Sequence, residues 1–438
     1  MKRLLIVLCM IGAVLNHSVA QRVTIQSVEE AMTYALKHNV DLNNYQLNVE
    51  KSKLEQKNAK AYKMPVISGT FSGQRNLDLA TTPLPAEIVG GEPGQSVDVQ
   101  FGQAYNYNAG ISINKELFNR GAALQAKLAS QNLEAEELSQ LQYEELLREQ
   151  VSTHYYSASL ANKAVEIGQQ DLKNARQVRE LTAEKYEGGL VDALVMNNAS
   201  INVNAVRLNL NANKQMALQS LTELKKLFGM DALDELVIVG DFDDLPPVRY
   251  TSDLLNAPVS MAYSDMQLKQ AASRLKISQS ALLPTLSLNS YYGRQQFRDD
   301  FGLSLDSDAW TPYSYVSLNL NVPIFTGFTN RRTIKQRKLD HQIALNEQQK
   351  VQVNIAHDDA RLIADYQISR EDVSASRETY QLYGENKELT YQKFEAGVIS
   401  LDRYLQAFAD YLKAEVTYLN NLSKMYSYYS QIIPRIQS

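Results

Sequence analysis

The chain has 438 residues, 44 Lys and Arg against 49 Asp and Glu for a net charge of −5, and 44% hydrophobic residues. That balance excludes intrinsic disorder and a collagen-like repeat; the one dense cationic run, Arg331 to Lys338, is too short to make nucleic acid a partner. Gly (19) and Pro (11) are sparse while Tyr (25) is abundant, so long regular elements are expected rather than many turns.

At the N-terminus, Lys2 and Arg3 precede an apolar run from Leu4 to Leu15, and Ser18-Val19-Ala20 puts small residues where a secretory peptidase cuts. Residues 1–20 are therefore predicted to be a signal peptide, with cleavage before Gln21. The alternative is a short membrane anchor, but twelve apolar residues fall short of the roughly 20 that a spanning helix needs. Cys9, the only cysteine, lies in the middle of this run after Leu8, which argues against lipidation and leaves the mature chain without thiol chemistry. Losing Lys2 and Arg3 takes the mature charge from −5 to −7. No later window holds about 18 uninterrupted apolar residues, so a membrane crossing requires a β-barrel.

A helical run is predicted from Val28 to Lys63, with Ser27 as its cap, Glu30 as the capping-box partner and Pro65 as its stop. A weak strand follows, carried by Ile67 and Phe71, and the Pro- and Gly-rich segment Asp78 to Gly102 reads as a loop. From Gln103 the sequence alternates: Tyr105, Tyr107, Ala109, Ile111 and Ile113 fall on one face, Asn106, Asn108, Ser112 and Asn114 on the other. From Gly121 to Glu187 there is no proline and one internal glycine, Gly168, so 67 residues can form a single helix of about 100 Å. Ala158, Ala161, Val165, Leu172 and Ala175 mark its thin apolar seam. After the turn at Gly188 and Gly189 a further helix runs from Asp192 to Gly229, and Met230 to Asn256, with VIVGDF and Pro246-Pro247, joins the halves.

The pattern is then written again. AYKMPVISGTFSGQ from Ala61 matches ALLPTLSLNSYYGR from Ala281; GISINKELFNRG (Gly110 to Gly121) matches SLNLNVPIFTG (Ser317 to Gly327); EKYEGGLVD (Glu184 to Asp192) matches QKFEAGVIS (Gln392 to Ser400). Leu286, Leu288 and Tyr292 face one way on the strand after Pro284, and Val316, Leu318, Leu320, Val322 and Ile324 oppose Ser317, Asn319 and Asn321 on the next. Arg298 to Thr311 is the connecting loop, and Phe328 to Glu395 repeats the long helix. The expected organisation is a signal peptide (1–20), a first repeat (21–229), a linker (230–256) and a second repeat with the C-terminal tail (257–438).

Four strands of this length suit a tilted crossing of a bilayer but cannot close a barrel, which takes about eight, and an open edge is untenable in lipid. Oligomerisation is therefore required if they are transmembrane; two copies give eight strands and three give twelve. Tyr105, Tyr107, Ile111, Ile113, Val316, Leu318, Leu320 and Val322 are expected to face lipid, and the Asn-rich faces to line water. Tyr105, Tyr107, Tyr313 and Tyr315 are candidate interface anchors. A soluble sandwich or a coiled-coil scaffold is the rival reading of the same elements.

Together, Ser27 to Gln56, the passages around Pro65 and Pro284, LFNRGA, IFTGFTNR and the paired tips YEGGLVD and FEAGVIS resemble the TolC family of outer-membrane efflux ducts over essentially the whole mature chain. That resemblance implies a mainly α chain with a transmembrane β-barrel contribution. Three copies form one twelve-stranded barrel, continued by a long periplasmic α-helical barrel, with the linker and C-terminal tail as an equatorial belt. It implies an outer-membrane protein that is no enzyme, needs no cofactor, and conducts passively for a periplasmic adaptor and an inner-membrane pump of RND or ABC type. Adaptor docking falls on Gly188, Gly189, Leu190, Val191, Gly397, Val398 and Ile399. Some such ducts close their entrance with carboxylates six and nine residues after the tip glycine; here those positions hold Arg403 and Gln406, or Val195 and Asn198, with Asp192 and Asp402 nearby. A mixed ring in which Arg403 pairs across chains is the resulting expectation. The chain carries no HExxH, P-loop, dinucleotide fingerprint or nucleophile elbow, and His357-Asp358-Asp359 cannot converge on one ion from adjacent helical positions. The rival function, a periplasmic adaptor or scaffold, calls for one hairpin between β-domain halves, not two hairpins each preceded by a strand pair.

Overall fold

The structure is a computed structural model and describes residues 22–239 and 255–436; the expected signal peptide and residues 240–254 of the expected linker lie outside the described residues. Two compact units emerge, and each draws on both sequence repeats: one spans residues up to 48, 137–264 and from 348 on, the other 49–136 and 265–347.

In the first unit, β1 (Arg22–Ile25) pairs in parallel with β6 (Glu235–Ile238), a contact between chain segments some 200 residues apart. Val23, Ile25 and Leu236 turn inward from this pair onto Ala31, Met32, Ala35, Leu147, Val151, Leu224 and Phe228. The first helix, α1 (Val28–His38), starts with Ser27 as its cap, Ser27 Oγ accepting the Glu30 N–H at 3.2 Å; the Glu30 carboxylate reaches back one residue past the cap, to the Gln26 N–H at 2.8 Å, rather than to the Ser27 N–H of an ideal capping box. It does not run through to Lys63. Asn39 adopts extended backbone, and its side chain accepts from the Leu42 N–H at 2.8 Å while donating to the Leu227 carbonyl at 2.9 Å. One residue thus ends α1, caps α2 (Val40–Lys60) and pins both to the C-terminus of α4 (Ala193–Leu227).

The long helices are α3 (Arg120–Glu187) and α6 (Thr329–Glu395), 68 and 67 residues, each turning back into a partner, α4 or α7 (Leu401–Ile436). The buried line of α3 is Ala161, Ala164, Gly168, Asp171, Ala175, Val178 and Thr182, in steps of three and four. Val165 and Leu172, expected in the seam, are only half-buried beside it. The seam is built from small residues so that helices pack closely; a methyl on Gly168 would sit 3.3 Å from Leu210. The chain stays helical to Ile436.

In the second unit, β2 (Val66–Arg75), β5 (Tyr105–Phe118), β7 (Thr285–Arg298) and β8 (Thr311–Asn321) form an antiparallel sheet in the order β2-β5-β7-β8. Pro65 and Pro284 end the preceding helices, α2 through a short 3-10 turn and α5 (Val259–Ser280). The segment read as a loop between β2 and β5 contains its own hairpin, β3 (Thr81–Pro85) with β4 (Ser96–Gln100). Pro83 and Pro85 in β3 hide it from pattern reading, although β4 (SVDVQ) does alternate. Pro323 stops β8 early, so Val322 and Ile324 lie past the strand. No helix among the described residues is long and apolar enough to cross a membrane.

Candidate functional site

The two hairpin tips have the same backbone chemistry. At the first, Gly189 has φ +71°, its N–H reaches the Tyr186 carbonyl at 3.0 Å, and the Leu190 N–H reaches Lys185 at 2.8 Å. At the second, Gly397 has φ +75°, its N–H reaches Phe394 at 3.0 Å, and the Val398 N–H reaches Lys393 at 2.9 Å. Each is a Schellman cap, in which glycine supplies the left-handed residue and two otherwise orphaned carbonyls are satisfied. The residue after each glycine is thereby thrust outward: Leu190 is 77% exposed and Val398 72%. Gly188 is exposed as well, while Val191 and Ile399 are half-buried. Lys185 ties the tips together, donating to the Phe394 carbonyl at 2.9 Å with its ammonium 4.3 Å from the Phe394 ring centroid.

The gate candidates follow on α4 and α7. Asp192 caps α4, accepting from the Val195 N–H at 3.0 Å, so this carboxylate is committed to the helix start. Asp402 accepts from the Asn198 amide at 3.3 Å, and Gln406 donates to Asp410 at 3.1 Å. Arg403 is exposed, and among the described residues no carboxylate pairs with it within the chain.

Behind the tips runs an aromatic ladder, Phe394, Tyr404, Phe408 and Tyr411, with successive centroids about 6 Å apart. At its far end lies a polar cluster that periodicity did not single out. Asp171 and Glu415 are 2% and 5% exposed, and the Lys387 ammonium is 3.9 Å from Asp171 and 3.9 Å from the Tyr411 ring centroid. Asp171 Oδ2 and Glu415 Oε2 have no hydrogen-bond partner among the described residues, a gap that one proton between the two carboxyls would fill. Burial first, then the charge of Asp171 and its hydrogen bond, pushes Glu415 up to about 8, while Lys387 opposes the shift.

In the second unit the sheet has two chemically distinct faces. Strand register places Ile67 beside Ile113, Gly69 beside Ile111 and Ile111 beside Tyr292, Phe71 beside Ala109, and Leu288 beside Leu318, with Val316 and Leu320 on the same face. This apolar face is bare within the chain: Ile67 is 64% exposed, Val316 71% and Leu318 64%. Ile111, Ile113 and Leu320 are exposed on it as well, and Val322 continues the exposure beyond the strand end. Tyr105 and Tyr107 share the face near the loops, where Arg294, Gln296 and Arg298 interleave with them. Tyr107 is only 9% exposed, because Phe71 and Tyr105 stack about it and its ring lies over Gly73; it is covered rather than bare. The opposite face carries Ser68, Ser112, Asn114, Asn289, Ser317 and Asn319. Tyr313 and Tyr315 belong to this polar face, opposite the face that carries Tyr105 and Tyr107. The outer strands β2 and β8 have no neighbour on one side.

Asp358 and Asp359, the acids next to His357, are engaged by Arg361 and Arg435.

A model of the family described as "Outer membrane efflux protein" matches residues 32–230 and 251–432. The toluene efflux pump outer membrane protein TtgC of Pseudomonas putida is 21% identical over 394 residues, covering 89% of this chain and 78% of that protein. Protein CyaE of Bordetella pertussis is 23% identical over 317 residues, 69% of this chain, and the match spans 65% of the length of CyaE. Among solved structures, the Campylobacter jejuni CmeC outer membrane channel superimposes with a TM-score of 0.77 at 19% identity over 93% of this chain and 85% of that one. CusC gives 0.75 at 18% identity over 94% and 95%.

Proposed function

The chain belongs to the outer membrane efflux protein family, and from that premise we propose that it is the passive outer-membrane duct of a tripartite efflux or secretion system. The observation that carries this reading is the sheet. It has an exposed apolar face, a polar face and two unpaired edges, a surface stable in lipid only when copies close it edge to edge. Three copies give twelve strands, with Ile67, Phe71, Ile111, Ile113, Val316, Leu318 and Leu320 toward acyl chains and the Asn- and Ser-rich face toward water.

The paired tips are the docking surface for a periplasmic adaptor, because two Schellman caps present Leu190 and Val398 in the same exposed position. The inner-membrane pump behind that adaptor supplies the energy. Arg403, without a carboxylate partner among the described residues, faces a carboxylate of a neighbouring copy at the entrance, where Asp402 is the nearest acid in sequence. The mature chain has no cysteine, which makes the test direct. Single cysteines placed together on β2 and β8 should yield covalent dimers and trimers under oxidation in intact cells. Cross-linked species absent from every β2–β8 pair would discard the shared barrel.

A further inference from the structure

The polar face of the sheet is not uniform. Register aligns Ser68, Ser112, Tyr291 and Tyr315 in one row across all four strands, and Thr70, Gly110, Gly293 and Tyr313 in the next. On the β2–β5 side these rows are small and hydroxylated, with Ser68 Oγ and Ser112 Oγ 2.8 Å apart and Thr70 above the Gly110 carbonyl. On the β7–β8 side they are aromatic. The Tyr291, Tyr313 and Tyr315 centroids form a triangle with every side 5.8 Å.

The two glycines make this arrangement possible. A Cβ on Gly110 would lie 2.8 Å from Tyr291 Cζ, and one on Gly293 would lie 2.7 Å from the Tyr291 hydroxyl. Tyr291 therefore lies across the bare backbone of both. Its hydroxyl is buried there without a hydrogen-bond partner, so the ring is held by packing and not by a polar bond. Tyr313 and Tyr315 lean on it and remain 41% and 46% exposed. Had the tyrosines served only to cover the glycines, Tyr291 alone would suffice.

We infer that Tyr291, Tyr313 and Tyr315 form an aromatic ledge in the lumen that retains flat aromatic or organic-cation cargo in transit. This rests on the proposal above that the polar face lines the channel. Ring faces carry negative quadrupole character, so they favour cations and stacked aromatics over anions. No charged side chain stands in either row to compete. Closed by three copies, the barrel presents three ledges alternating with three hydroxyl floors at one level, a cargo contact that neither the family match nor the tips specify.

The test is block of single-channel current by tetraphenylphosphonium added from the loop side of the barrel. Tyr313→Ser with Tyr315→Ser leaves Tyr291 over the glycines, and it is expected to raise the half-blocking concentration about tenfold with KCl conductance kept or increased. Tyr313→Phe with Tyr315→Phe retains the ring faces and is expected to block like the unaltered protein. Equal block by the serine variant overturns the ledge, and so does loss of block in the phenylalanine variant. Failure of the unaltered protein to conduct at all would instead remove the channel reading itself, and the ledge with it.

Discussion

Ionising Glu415 is predicted to loosen the helical coil around it. Two carboxyls, Asp171 on α3 and Glu415 on α7, share a site with one cation, Lys387 on α6, with Tyr380 and Tyr411 closing the cluster through a 3.1 Å hydroxyl contact. In the folded chain Glu415 releases its proton only at about 8, against 4.5 for the free side chain. Between those values the folded state holds a proton that the opened state has lost, so stability is fully present below pH 4.5 and falls as pH rises through 8. While the folded state holds a proton that the opened state has lost, the opening equilibrium grows by up to about tenfold per pH unit. Amide hydrogen exchange of the helix segment 408–419, corrected for the intrinsic rate, reads this directly at pH 6, 7 and 8. Protection is expected to fall about tenfold from pH 6 to 7 and about fivefold from 7 to 8 in the unaltered protein, and to stay nearly flat in Glu415→Gln, which keeps the shape without the titration. Equal pH slopes in both proteins, or protection that grows with pH, would refute the shared-proton assignment.

Other perturbations read different parts of the molecule. Arg403→Glu is expected to shift single-channel selectivity toward cations, and unchanged selectivity would discard the mixed entrance ring. Leu190→Glu with Val398→Glu should leave the oligomer intact and abolish in-cell cross-linking to the adaptor, since both side chains are exposed and support no core; retained cross-linking would place docking elsewhere. Gly110→Ala puts a methyl 2.6 Å from the Tyr292 carbonyl oxygen and 2.7 Å from Gly293 Cα, both backbone. The strands cannot yield cheaply, so the heat-resistant oligomer band on a denaturing gel is expected to vanish, and its survival would contradict the register.

The fold was legible where one physical period dominates. Val316, Leu318 and Leu320 alternate without exception and mark β8, while Pro65, Pro284, Gly189 and Gly397 punctuate the helices where backbone chemistry demands it. Ser27 and Glu30 announce a cap that forms. What stayed hidden depends on distant partners. Asn39 breaks a run whose helical character continues on both sides, and its reason is the Leu227 carbonyl 188 residues away. The β1–β6 pair is four residues long on each side and nonlocal. Residue type groups Tyr313 and Tyr315 with Tyr105, yet parity with Asn319 puts them on the other face. Asp171 did carry a signal: it lies in the three-and-four spacing of Ala164, Gly168, Ala175 and Val178, and an acid there needs a buried partner. Which copies meet at β2, β8 and Arg403 is a property of the assembly, to which a single sequence contributes only open edges and an unpaired charge.

The most direct measurement of the central claim is the mass of the protein extracted from the outer-membrane fraction, by light scattering corrected for bound detergent. Three chains per particle, soluble only with detergent, is the predicted result. A monomer or dimer that stays in solution without detergent would mean that the apolar face of the sheet never meets lipid, and the duct would have to be given up.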